Sequence, residues 1–335
     1  MTGELELKYG VGALLYCPAN NHSIVSQIAE QRLKPPYSVA LCLEDAIGDG
    51  AVEQAEKQLA KHLSELYHLM HSESYVYMPK LFVRVRSAQH LLHVYGKLGS
   101  LNNMLTGYIL PKYSTDNALA YNQAMLAINK VSDKTLYMMP IIESHDVLGL
   151  LTRQKALAKL KRAIDSVGDY VLNVRIGGND FCNCYGLRRP VENTIYEIGI
   201  MNSVLADIAN VFFAEYVVSA PVWEYFENDR DREDERWLAG LRRELEFDRL
   251  NGFVGKTCIH PSQVEAVNQS LQVSESDYLD AVEILGWENA DKGVAKSADG
   301  SRMNEVKCHK TWAAKTMALA MIYGVRSEAY HELHA

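Results

Sequence analysis

The chain has 335 residues, 48% of them hydrophobic, which is enough apolar material for one large core or two ordinary ones. A formal net charge of −8 with no basic stripe argues against nucleic acid as the main ligand. No apolar run approaches membrane-spanning length, MTGELELKYG lacks the layout of an export signal, and the six cysteines form no CxxC pair, so a cytoplasmic protein that does not engage a membrane is expected.

Apolar runs with strand character occur at 11–17, 38–43, 81–85, 107–110, 136–142, 171–176, 211–218 and 253–259. Between them, 24–33, 52–70, 89–98, 116–128, 147–163, 195–208 and 231–250 have helical character. Eight strands alternating with helices predict a parallel sheet with helical crossovers, and eight is the number that closes a TIM (β/α)8 barrel. An open doubly wound sheet is the competing architecture, but YCPANN stands after the first strand where a GxGxxG turn would be expected. The barrel is expected over residues 1–270, followed by C-terminal helices and a lid segment over 271–335. A helix is expected at 306–323, with 291–301, rich in Gly, Ser and Lys, as a surface loop. The mixed-charge stretch NDRDREDERWLAGLRRELEFDRL after Glu227 reads as a solvated outer helix with charge pairs four residues apart.

The residues that close these strands carry the chemistry, because barrel enzymes build their sites at that rim. In chain order they are Cys17-Pro18, Glu44-Asp45, Arg84 with Arg86, Pro111-Lys112, Glu143, Asp180, Ala220-Pro221 and His260-Pro261. Glu143 in MMPIIES and Asp180 in VRIGGNDF stand out: two acids at the ends of neighbouring strands can share one hard divalent cation. Gly177 and Gly178 between strand and acid read as a sharp turn. A helix N-cap and a turn acid are the plain alternative for this pair. His260 reads as part of the turn that closes the barrel.

LYCPANN, LCLEDAI, FVRVR, LPK, MPIIES, GGNDF, SAPVWEYF and GKTCIHPSQV occur in the order seen in citrate lyase beta-subunit-like proteins of the HpcH/HpaI aldolase superfamily, which this chain resembles over about residues 11–325. The resemblance implies a TIM barrel, a homotrimer or hexamer, and a Mg2+-dependent carbon–carbon lyase, with Mn2+ as the alternative ion. It implies metal ligation by Glu143 and Asp180, and binding of a substrate carboxylate or carbonyl oxygen by Arg84. Glu44 and Asp45 match the acidic pair near the metal-bound waters, with Lys112 beside them on the rim. A structural ion pair between Arg84 and Glu44 or Asp45 is the competing role. The expected substrate is a small anionic hydroxy or oxo acid, free, phosphorylated or as its coenzyme A thioester. A non-catalytic subunit that keeps the metal site for ligand binding is the reading from another class.

Departures from the family pattern sharpen these expectations. Arg86 stands where a small polar residue is usual and adds a second cation to the rim, as a further substrate contact. CNCYGLRRP supplies Arg188 and Arg189, for either an anionic substrate or a subunit interface. In the lyases a distal lid carries an acid that protonates the enolate. Aligning on Met303 puts Glu305 at that position, with Asp299 as the next candidate.

Overall fold

The computed structural model describes residues 2–72, 76–228, 230–231, 233–287, 293–297 and 300–326. Parallel strands β1 (Ala13–Pro18), β2 (Ser38–Cys42), β3 (Lys80–Arg84), β4 (Gly107–Leu110), β5 (Tyr137–Ile142), β6 (Val174–Ile176), β7 (Val218–Ser219) and β8 (Lys256–Cys258) form one sheet. Its order is β7-β6-β5-β4-β3-β2-β1-β8. The strands are near-continuous apolar runs because both faces are covered, and all five residues of β2 are buried. The β7–β8 seam is drawn together by Val254 N–H donating to the Val218 carbonyl at 2.9 Å and Ala220 N–H donating to that of Gly255 at 3.0 Å. Gly255 has φ +76°, and a Cβ there would lie 2.5 Å from the Gly12 carbonyl oxygen, so only glycine fits at this seam. The result is an α/β barrel, nearly closed, as the strand count predicts.

Amphipathic helices supply the crossovers: α2 (Ile24–Ala29), α3 (Val52–Met70), α4 (Ala88–Leu98), α5 (Ala118–Val131), α6 (Arg153–Asp165), α7 (Gly178–Cys184), α8 (Gly199–Phe212), α9 (Arg236–Leu250) and α10 (Ser262–Ser270). The helix α1 (Thr2–Tyr9) precedes the first strand. In α3, Ala55, Leu59, Leu63 and Leu66 recur at helical spacing and are buried.

Three local expectations are corrected. The run at 211–218 is mostly turn: Phe212 completes α8, with its buried face of Val204, Leu205 and Ile208, residues 213–216 turn, and only Val218–Ser219 is strand. The Gly-Gly pair makes no left-handed turn, since Gly177 has φ −90° and Gly178 opens α7. The charged stretch after Glu227 is not solvated all round, because α9 buries Glu244 and Asp248 with Leu241 and Leu245 on its inner face.

The chain divides into two compact units, Val11–Val267 and a second made of the first ten residues with the chain from Asn268 onward. In the second, α11 (Glu275–Gly286) packs on α12 (Val306–Tyr323) through Ala281, Ile284 and Ala313. Tyr323 Oη donates to the Tyr9 carbonyl at 2.9 Å. Strand β9 (Val273–Ser274) pairs in parallel with β12 (Val325–Arg326). The segment expected as loop holds a hairpin of β10 (Val294–Lys296) and β11 (Met303–Glu305). Among the described residues no helix is long and apolar enough to cross a membrane.

Candidate active site

Glu143 follows the last residue of β5 and is 5% exposed. Its Oε1 accepts from the Lys112 backbone N–H at 2.8 Å, just past β4, and lies 3.4 Å from Arg84 Nη2 at the end of β3. Lys112 adopts φ +49°, a left-handed conformation that costs a non-glycine residue about 1 kcal/mol. Asn117 Nδ2 donates to the Lys112 carbonyl at 2.9 Å and steadies this bend.

The reason for glycine beside Glu143 is space. A Cβ at Gly177 would lie 2.2 Å from Glu143 Oε2, and one at Gly178 would lie 2.7 Å from Ile195 Cδ1. The carboxylate is thus packed against the backbone that leads into α7, whose third residue is the half-buried Asp180. Burial pushes the Glu143 carboxyl up to about 8; Arg84 opposes this, and the charge of Asp180 pushes it further up.

Glu44 and Asp45 follow β2 and complete the rim. Arg84 Nη2 reaches Glu44 Oε2 at 2.9 Å and Asp45 Oδ2 at 3.1 Å. Lys112 Nζ lies 2.8 Å from Glu44 Oε1 and 3.4 Å from Asp45 Oδ1. Burial works against the Arg84 charge, but Tyr16, Glu143 and Glu44 outweigh it and hold the guanidinium above its ordinary value. Four acids (Glu44, Asp45, Glu143, Asp180) therefore face two cations (Arg84, Lys112), so acids outnumber bases at the rim. Among the described residues no three His, Cys, Asp or Glu side chains converge to hold a metal alone. What the rim offers a hard divalent ion is carboxylate oxygens and an excess of acids over cations.

Several expected residues lie elsewhere in the chemistry. The Arg86 guanidinium is committed to the loop after β2, donating to the Leu43 and Ile47 carbonyls at 3.2 Å each and pairing with Asp49. Arg189 is 2% exposed and lies over Trp223 at 5.1 Å, with Nη2 donating to the Val222 carbonyl and Nε 3.6 Å from the buried Glu244. Arg188 is exposed, 3.7 Å from Glu224. His260 Nδ1 is 2.8 Å from Ser262 Oγ and its ring stacks on Phe226, within the turn after β8. Glu305 belongs to the second unit, at the N-cap of α12. Asp299 lies outside the described residues.

Two side chains escaped the sequence reading. Arg175 on β6 is 2% exposed, and its Nη1 and Nη2 donate to Ser219 Oγ at 3.2 Å and Thr257 Oγ1 at 2.7 Å. Tyr16 on β1 hydrogen-bonds with Arg175 and has the Arg84 guanidinium over its ring at 5.6 Å. The signal was available: Arg175 is the charged residue inside the otherwise uncharged run VLNVRI.

A TIM-like barrel with an acidic rim at its strand ends is a frame that enzymes use. The chain belongs to the C–C bond lyase family of the TIM-barrel fold, whose family model matches residues 5–325, and so is an enzyme. No curated protein matches it by sequence. Solved structures share the fold. A citrate lyase from Burkholderia xenovorans is 16% identical at TM-score 0.66, covering 97% of this chain and 96% of that one. The CitE protein of Mycobacterium tuberculosis, in complex with magnesium, acetoacetate and coenzyme A, is 17% identical at TM-score 0.57, covering 94% and 100%. A malate synthase from Haloferax volcanii, in a magnesium/glyoxylate complex, is 15% identical at TM-score 0.57, covering 77% and 74%.

Proposed function

We propose that this enzyme is a Mg2+-dependent lyase that makes or breaks a carbon–carbon bond in a small hydroxy or oxo acid, free or as its coenzyme A thioester. The observation that carries the reading is the rim itself: Glu143, buried against Gly177, beside Asp180 and an excess of acids over cations. Glu143 and Asp180 would hold the ion, which when bound supplies Lewis acidity to a substrate oxygen.

The remaining steps fall to this chain's own side chains. Arg84 holds the oxygen on which enolate charge develops, as an oxyanion donor fixed in place before reaction. Lys112 anchors the substrate carboxylate and screens it from Glu44 and Asp45. In the cleavage direction Asp45, the exposed member of that pair, takes the hydroxyl proton as the carbon–carbon bond breaks. The released enolate takes a proton at carbon from Glu305 or Asp299, the residues aligned with the family's lid acid. A homotrimer or hexamer is the assembly this reading expects, and a monomer by light scattering at micromolar concentration would contradict it.

Calorimetry with Mg2+ and Mn2+ tests the reading, using Glu143→Gln and Asp180→Asn. Both variants should fold and bind the ion more weakly; unchanged affinity in both would remove the assignment. Turnover of hydroxy and oxo acids, assayed with and without coenzyme A, then identifies the substrate class.

A further inference from the structure

Arg175 pairs in register with Ile141, two residues before Glu143, and with Ser219 on β7. Side chains two apart along a strand share a face, so Arg175 occupies the interior layer directly beneath Glu143. There it is nearly sealed, and among the described residues no carboxylate pairs with it. Its partners Ser219, Thr257 and Tyr16 are neutral hydroxyls, and its Nε has no hydrogen-bond partner. Arg84, on the other side of Tyr16, is a second cation acting on it. An isolated buried charge is expensive, and three hydroxyls satisfy hydrogen bonds without supplying countercharge. A stitch between strands needs no cation; an anion site does. Tyr16 and Thr257, which flank it, keep part of their surface accessible.

Resting on the rim as the reaction centre, we propose that Arg175, with Thr257, Ser219 and Tyr16, forms a second oxyanion subsite inside the barrel that receives the distal anionic group of the substrate. The substrate is then a short dianion: one end engages Arg84 and the rim, the other enters past Tyr16 to Arg175. The distal group is an oxyanion, a carboxylate or a phosphoryl-type group. A guanidinium whose Nε–H has no partner suits either.

The test is calorimetry on the whole chain with Mg2+ and three 2-oxo acids differing at the distal position: pyruvate, oxaloacetate and phosphonopyruvate. The dianions should bind the native protein tenfold or more tightly than pyruvate, the scale of one charged hydrogen-bonded contact. Arg175→Met should erase that ratio and leave pyruvate binding unchanged, while Arg175→Lys should keep part of it. Whichever dianion is preferred identifies the distal group. Equal binding of all three by the native protein, or a preference that survives Arg175→Met, overturns the proposal. Should Arg175→Met fail to fold by near-UV circular dichroism, Thr257→Val takes its place; it should shrink the ratio severalfold, and an unchanged ratio again overturns the subsite. If pyruvate binding shows no dependence on Mg2+, the metal reading falls, and the same ratios in metal-free protein still decide Arg175.

Discussion

Two ion networks in the barrel unit use the same residue types to opposite ends. At the rim, Glu44, Asp45, Glu143 and Asp180 outnumber Arg84 and Lys112, and Asp45 and Lys112 are open to solvent. Between α9 and β8, Glu244 and Asp248 meet Lys256 and Arg189 in equal number. Lys256 Nζ stands 2.9 Å from Glu244 Oε1 and 2.8 Å from Asp248 Oδ2, Arg189 Nε 3.6 Å from Glu244 Oε2, and all four residues are buried. The Ile195 N–H and the Tyr196 hydroxyl donate to these carboxylates at 2.8 and 2.7 Å. Burial pushes Asp248 up to about 6, with Lys256 opposing, against about 8 for Glu143. A closed network balances its charges; an open one with a deficit of positive charge is prepared for a cation from outside.

The contrast is sharpened by breaking each network where it is strongest. Arg84→Met should lower turnover by about 10²–10³ while the fold persists, the effect of losing one oxyanion donor; retained turnover in a steady-state assay would place the oxyanion elsewhere. Lys256→Met should do the reverse, costing about 3–5 kcal/mol in chemical denaturation because Asp248 is left as an unpaired buried charge and Glu244 keeps only Arg189 at 3.6 Å. If Lys256→Met instead leaves stability intact, the sealed network is not the structural one. Gly177→Ala comes next: a methyl driven into Glu143 should cost about 1–3 kcal/mol and weaken Mg2+ binding together. Lys112→Met, at a half-exposed position, should change stability by no more than about 1 kcal/mol while raising the substrate KM.

A third cluster gives a pH control. Burial raises the Glu56 carboxyl, but hydrogen bonds from Lys97, His90 and His93 outweigh it and hold it at about 2. A carboxyl depressed in the folded state contributes stability that is complete above its ordinary value of 4.5 and disappears as pH falls through 2. Glu56→Gln should therefore cost about 1–3 kcal/mol at pH 7 and much less near pH 2, measured by urea unfolding at both.

Much of the rim was legible in the sequence because strand ends are marked twice: an apolar run stops, and an acid or a base follows. Glu44, Arg84, Lys112 and Glu143 were readable by that rule, and the structure gathers them. The rule fails inside the strand, where it passes over Arg175 in a core run, since register with Ile141 and Ser219 is a three-dimensional fact. It fails also on α9. Glu244 and Asp248, four residues apart, read as a solvated pair in a charge-rich helix, and only the facing Lys256 reveals that they point inward. The glycines were found for the wrong reason: Gly177 is required by the volume of Glu143 and not by its own backbone angles.

The joining of Tyr9 to Tyr323 has a consequence for biosynthesis. A unit that takes its first helix from the start of the chain and the rest from beyond Asn268 cannot be completed as the N-terminus leaves the ribosome. Domains tend to fold in the order they are made. Here α1 must wait while the whole Val11–Val267 barrel is translated, at about 5–20 residues per second, before α12 appears to receive it. For that interval α1 waits for the rest of its unit.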